Sequence, residues 1–147
     1  QGEKRYVNYF NECRQTYPGQ FGFSDQYSEE MAARVFAGAD FYLMPSSFEP
    51  CGLSQMMAMR YGTVPIVHET GGLKDSIHDV GGENGNGFTF LYYNAHDMLH
   101  VIERACDYYN NHKDVWALLQ QRGMTGDYSW TNSAGKYMDL FHQMLGW

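Results

Sequence analysis

Within the stretch "SSFEPCGLSQ" (46–55), a single carboxylate, Glu49, stands between Phe48 and Pro50, and Cys51, Gly52, Leu53 and Ser54 follow it directly. A short apolar run, "DFYLMP", comes before, and a helix-like run, "LSQMMAMRYG", comes after. In an open parallel sheet, ligands bind beyond the carboxyl ends of the strands, so such a loop faces the ligand crevice. Gly52 permits close backbone approach, and the amides of Gly52, Leu53 and Ser54 would be first-turn donors without intrahelical partners. Such donors cradle a phosphate, helped by a dipole contribution of ~0.3–1 kcal/mol. Glu49 at the rim would repel a phosphate, yet it can bind sugar hydroxyls or meet a developing positive charge. A sugar nucleotide carries both parts. The alternative is that Glu49 is an ordinary solvated loop residue.

A second loop, "HETGGLKD" (68–75), carries Gly71 and Gly72. It reads either as a tight turn or as another backbone anion site after the next strand. His96 and His100 echo the HExxH zinc motif with Asp97 in place of Glu, but no third ligand is evident, and a surface helix is the better reading. "GENGNG" (82–87) has the wrong spacing for a dinucleotide fingerprint. Cys51 at a helix N-terminus would be a sensitive thiol rather than a catalyst, while Cys13 and Cys106 read as core fillers.

Several elements must position these groups. Residues 5–16 place Tyr6, Val7, Phe10 and Cys13 at helical spacing, and Pro18-Gly19 ends the helix. "QFGF" (20–23) reads as a short strand. Ser28 is an N-cap candidate for a helix through Ala39, with Met31, Val35 and Phe36 on one face. Residues 40–44 read as a buried strand, 53–61 as a helix ended by Gly62, and 63–67 as the next strand. "GGENGNG" (81–87) reads as a loop, followed by helical segments at 95–110, 112–121 and 130–145. Strand–helix alternation with short links indicates a parallel α/β sheet covered by helices, thin at three or four strands.

The chain has 147 residues, enough for one domain with a core. Its formal net charge of −7 argues against nucleic acid or an anionic membrane as the main partner. No apolar run approaches the ~20 residues that span a bilayer. Three widely spaced cysteines fit a reducing cytoplasm better than a disulfide scaffold. The chain opens without Met, which suggests a fragment or a processed start.

Residues 38–77, "GADFYLMPSSFEPCGLSQMMAMRYGTVPIVHETGGLKDSI", closely resemble the bacterial glycogen synthase and plant starch synthase family. "FEPCGL", "AMRYGTVPIV" and "TGGL" occur in order and at matching spacing, and "YSWTNSAGKYMDLF" (128–141) is similar to that family's C-terminal helix. The resemblance implies a retaining glucosyltransferase of GT-B architecture, two Rossmann-like domains with helices on both sheet faces. Residues 1–147 would be most of the C-terminal, donor-nucleotide-binding domain. The N-terminal domain and the basic donor-phosphate residues, an Arg and a Lys, would lie outside this chain, which alone should be inactive.

The same resemblance implies transfer of glucose from ADP-glucose to the 4-hydroxyl of an α-1,4-glucan, with no metal or other cofactor. Glu49 matches the glutamate that contacts the donor glucose and stabilises an oxocarbenium-like transition state. A double displacement would also need that carboxylate on the correct face of the sugar. Cys51, Gly52, Leu53 and Ser54 match the turn whose backbone holds the distal phosphate and sugar. Gly71 and Gly72 match the glycines flanking the donor, and Tyr27 matches an aromatic that stacks on adenine, against the alternative of a tyrosine packed under the next helix. Many related transferases carry a second glutamate eight residues after the first. Met57 stands there instead, which leaves ribose recognition unassigned, with Gln55 a candidate polar group. Two other functions remain open at this point: a GT-B transferase with another nucleotide sugar, and a non-catalytic nucleotide- or glucan-binding module.

Overall fold

The computed structural model describes residues 2–146. They fall into two compact units, divided between Val35 and Phe36.

The first unit opens with helix α1 (Lys4–Thr16), and helix α2 (Glu29–Gly38) begins in it. Ser28 caps α2 as expected, its Oγ accepting from the Met31 amide at 3.2 Å. The expected strand at 20–23 is absent, and residues 21–25 form no regular element. A strand is held by a neighbour's ladder of hydrogen bonds, and no strand is present among the described residues of this unit to supply one. Instead, side chains tie the segment down: the Phe10 ring of α1 lies 6.0 Å from Phe21 and 5.4 Å from Phe23. Met31 and Val35, read as sharing one helix face with Phe36, are each 54% exposed.

The second unit is built on three parallel strands, β1 (Phe41–Met44), β2 (Val64–His68) and β3 (Phe88–Phe90), in the order β1-β2-β3. Register pairs Leu43 with Ile66 and Ile66 with Phe88. Strand β3 adds an element that the glycine-rich run before it had obscured. Helix α3 (Ser54–Arg60) links β1 to β2, and α4 (Gly71–Ser76), α5 (Ala95–Asn111), α6 (Lys113–Thr125) and α7 (Trp130–Leu145) complete the unit.

β2 is buried throughout, so its alternating side chains must be covered on both sides. On one face Val64 and Ile66 meet Phe88, Val101, Ala105, Trp116 and Leu119, which brings in α5 and α6. On the other, Val67 meets Met59 of α3 and Leu73 of α4. The fold is therefore α/β and Rossmann-like, with helices on both faces. Residues 71–76, read from sequence as loop, form a helix. Two glycines at its start cost about 1 kcal/mol each relative to alanine, but Leu73 is wholly buried and anchors the turn.

The outer edge of β3 is closed by Asp79. Its Oδ1 accepts from the Thr89 amide at 3.0 Å, and its Oδ2 accepts from the Gly81 amide at 3.2 Å and from Arg104 Nη1 at 3.1 Å. Cys106 is exposed and Cys13 is only half-buried, so neither is the core filler expected. Cys106 follows Ala105 on α5 and is turned off the helix face that carries Val101 and Ala105 inward. No helix among the described residues is long and apolar enough to cross a membrane.

Candidate functional site

Parallel β1 and β2 end on the same edge of the sheet, and the loops that follow them meet there. The first loop runs from Pro45 to Leu53, the second from Glu69 to Thr70. The Gly72 amide donates to the Glu49 carbonyl at 3.0 Å. Gly71 takes a φ of +44°, and a Cβ added there would run into the Glu49 carbonyl oxygen. A Cβ on Gly72 would likewise run into the Cys51 carbonyl oxygen. Glycine is required at both positions because backbone lies against backbone. Close backbone packing is a reason for both glycines that neither reading of this loop, tight turn or anion site, had offered. The Gly72 amide is already engaged by the neighbouring loop.

Glu49 is half-buried. Its Oε2 lies 3.5 Å from Ser46 Oγ, the longest separation at which that hydroxyl can still donate to it. The Ser46 carbonyl in turn lies 2.8 Å from Nδ1 of His68, the last residue of β2. His68 is only 8% exposed, and its ring sits 5.4 Å from that of Phe90 and 5.2 Å from that of Tyr93. The Glu49 loop is thus fastened from β2 at Ser46 and from α4 at Glu49 itself.

Cys51 is exposed, and Gly52 adopts a left-handed φ of +66° while buried. Leu53 is 61% exposed at the head of α3. Ser54 turns inward: its hydroxyl accepts from Tyr42 Oη at 2.8 Å and faces the Met44 sulfur at 3.5 Å. Its side chain is therefore committed to β1, and only its backbone amide remains for a ligand.

Gln55 corrects an expectation. It is wholly buried, so it is not a ribose contact. Its Nε2 donates to the Gly52 carbonyl at 2.7 Å and to Ser76 Oγ at 3.0 Å, which ties the turn before α3 to the end of α4. Met57, in the position where related transferases carry a glutamate, is 53% exposed on α3.

Tyr27 belongs to the first unit. It is 77% exposed and lines a cavity of about 430 Å³ together with Tyr6, Phe10, Phe23 and Gln26. Such exposure rules out a tyrosine packed under the next helix. Of the residues marked out by sequence, Glu49, Cys51, Gly52, Leu53, Ser54, Gly71 and Gly72 therefore gather where two loops touch, while Tyr27 stands in a cavity of its own unit. Ser46, His68 and Ser76 escaped the sequence reading. The available signal was a histidine closing an apolar strand three residues before a glycine pair. His96 and His100 are exposed on α5, and no group of metal-binding side chains occurs among the described residues.

Residues 14–121 match the family model for glycosyl transferases group 1. The chain is 47% identical over 146 residues to a glycogen synthase of Desulfitobacterium hafniense, covering 97% of this chain and 31% of that protein. A glycogen synthase of Lachnospira eligens is 48% identical over 145 residues, again covering 97% of this chain and 30% of the relative. Among solved structures, the catalytic domain of starch synthase IV from Arabidopsis thaliana, bound to ADP and acarbose, superimposes with a TM-score of 0.84 at 32% identity. That match covers 99% of this chain and 31% of the starch synthase. A sucrose-phosphate synthase of Thermosynechococcus elongatus shares the fold, with a TM-score of 0.63 at 21% identity, over 97% of this chain and 35% of that one. The chain spans about 30% of the length of the glycogen synthases it matches. Similar over nearly its whole length to glycogen and starch synthases, the chain belongs to the group 1 glycosyl transferases.

Proposed function

We propose that this chain is the donor-nucleotide-binding C-terminal domain of a retaining glucosyltransferase that moves glucose from ADP-glucose to the 4-hydroxyl at the non-reducing end of an α-1,4-glucan. The observation that carries the reading is the fixed position of Glu49. Its half-buried carboxylate is held by Ser46 on a loop seated against Gly71 and Gly72, beyond the carboxyl ends of β1 and β2. The starch synthase that shares this fold was captured with ADP and acarbose, a nucleotide and an oligosaccharide analogue.

In this mechanism Glu49 lies against the donor glucose. As the bond from the anomeric carbon to the diphosphate lengthens, positive charge builds on the sugar ring, and the carboxylate stabilises it. A charge already fixed in place needs no reorganisation as the reaction proceeds. The backbone of Cys51, Gly52, Leu53 and Ser54 holds the distal phosphate and the sugar, using first-turn amides that have no intrahelical acceptor. Gly71 and Gly72 border the donor, and Tyr27 stacks on adenine. None of these steps calls on a metal or another cofactor. In the full-length protein the N-terminal domain supplies the acceptor side, the missing start of this donor domain supplies the basic groups that pair with the diphosphate, and the enzyme works in the cytoplasm.

Donor competition in the full-length enzyme tests the assignment. ADP-glucose should be used well and UDP-glucose poorly, with glucose appearing at the non-reducing end in α-linkage. Equal use of both donors would point to a transferase of broader donor choice. Binding of glucan or nucleotide with no transfer from any donor would leave only a binding module.

A further inference from the structure

We infer that His68 is a positioning residue for Glu49, acting through Ser46; the inference rests on the role proposed for Glu49. A carbonyl oxygen can only accept a hydrogen bond, so the 2.8 Å contact between His68 Nδ1 and the Ser46 carbonyl requires the proton on Nδ1. That fixes the tautomer of a ring that is 8% exposed and flanked by Phe90 and Tyr93. The bond anchors Ser46, and the Ser46 hydroxyl faces the Glu49 carboxylate at 3.5 Å. Among the described residues, the other hydrogen bond that ties residues 46–49 to the rest of the unit runs from Gly72 to the Glu49 backbone. With Gly72 alone, Glu49 would keep its main-chain position but lose the group that aims its carboxylate.

Three features single out His68 from the other side chains beneath the loop. It ends the central strand, which is the most constrained element of the sheet. Its ring is clamped by two aromatic neighbours, so the direction of its Nδ1–H is set. Its partner is a loop carbonyl three residues from the carboxylate it serves, so a small displacement at Ser46 is passed on to Glu49 within one turn of chain. Reacting groups displaced by about 1 Å can lose on the order of a hundredfold in rate.

The test uses the full-length enzyme with three variants. His68→Phe keeps a ring of similar size and removes the donor. His68→Asn places an amide N–H near the position of Nδ1, and His68→Gln places one near Nε2. The Phe and Gln variants should lose about ten- to a hundredfold in kcat, with ADP affinity and melting temperature little changed, whereas Asn should recover most of the loss. A parallel shift in ADP affinity and stability, equal activity in all three variants, or equal loss in all three overturns the inference. Nitrogen-15 labelling of histidine supplies a readout independent of turnover and of how well any variant folds. His68 should report the Nδ1–H tautomer, and an Nε2–H tautomer overturns the inference. Glu49→Gln, measured alongside, separates the two ideas. If that change leaves turnover intact, the role of Glu49 fails, while the tautomer still shows whether His68 holds Ser46.

Discussion

Glu49 and Gly72 are joined through their backbones, carbonyl to amide at 3.0 Å, across two loops that follow neighbouring parallel strands. The contact is possible only because neither Gly71 nor Gly72 carries a side chain. It turns two separate loops into one surface and places a carboxylate on it.

Gly72→Ala should therefore damage the site through packing. The new methyl would meet the Cys51 carbonyl, a backbone atom that cannot rotate away. Overpacking of this kind costs about 1–3 kcal/mol, and rigid backbone puts this case near the upper end. Urea unfolding of the full-length enzyme should show a lower midpoint, and turnover should fall because the Glu49 loop is pushed off its seat. An unchanged midpoint would mean that the two loops are not in contact in solution.

Glu49→Gln tests charge with shape held constant. Removing one preorganised electrostatic contact from a transition state costs on the order of 10²–10³ in kcat. ADP affinity should stay close to that of the parent, because the carboxylate is assigned to the sugar and not to the nucleotide. Calorimetry with ADP beside initial rates with donor separates the two. Full turnover in the Gln variant would remove Glu49 from the mechanism.

Gln55→Leu probes the latch beneath the site. It deletes the donor to the Gly52 carbonyl and to Ser76 Oγ, and a buried carbonyl left unpaired costs about 1–3 kcal/mol. Thermal unfolding should register the loss. Gln55→Glu should do no better, since a carboxylate facing the Gly52 carbonyl brings two acceptors together. A Leu variant as stable as the parent would show that the amide contributes nothing there.

Much of this architecture can be read from the residues in order. Helical spacing at Tyr6, Val7, Phe10 and Cys13 matches α1, and the apolar runs at 40–44 and 63–67 lie within a residue of β1 and β2. Local patterns decide those elements, so local reading finds them. Where the reading failed, the deciding partner was distant in sequence. "QFGF" has strand-like composition, but a strand needs a neighbour, and none stands beside it. Gln55 sits one residue from the expected phosphate turn, yet Ser76, twenty-one residues on, draws its side chain inward. His68 stood out only as a histidine closing an apolar strand, because its meaning depends on the Ser46 carbonyl, visible only once β1 and β2 lie side by side. The glycines were legible as important but not as to cause, since a missing side chain does not name the backbone that fills its place.

Arg104→Ala tests how the sheet edge is closed. Arg104 pairs with Asp79 through both terminal nitrogens, and Asp79 also receives the Thr89 and Gly81 amides. Both side chains of the pair remain about one-third exposed, at 33% and 30%. Solvent therefore screens part of the interaction, and a loss of about 1–2 kcal/mol is expected. Arg104→Lys should recover only part of it, because an ammonium cannot reproduce the two-nitrogen fork. Full recovery by Lys would reduce the contact to simple charge pairing.

Tyr27→Ala should separate binding from stability more cleanly than any change in the second unit. With 77% of its surface exposed, Tyr27 contributes little to the fold, and substitutions at such positions usually shift stability by no more than about 0.5 kcal/mol. Base–aromatic stacking, by contrast, is worth about 1–3 kcal/mol per base, which corresponds to roughly 5- to 150-fold in dissociation constant. The Ala variant of the full-length enzyme should therefore melt like the parent and bind ADP more weakly within that range. Tyr27→Phe keeps the ring face and should bind nearly as the parent does, since stacking needs the aromatic surface and not the hydroxyl. Affinity for glucan alone should not move in either variant, because the ring is assigned to adenine. An ADP dissociation constant unaltered in the Ala variant would leave Tyr27 as surface, and another group would have to hold the base.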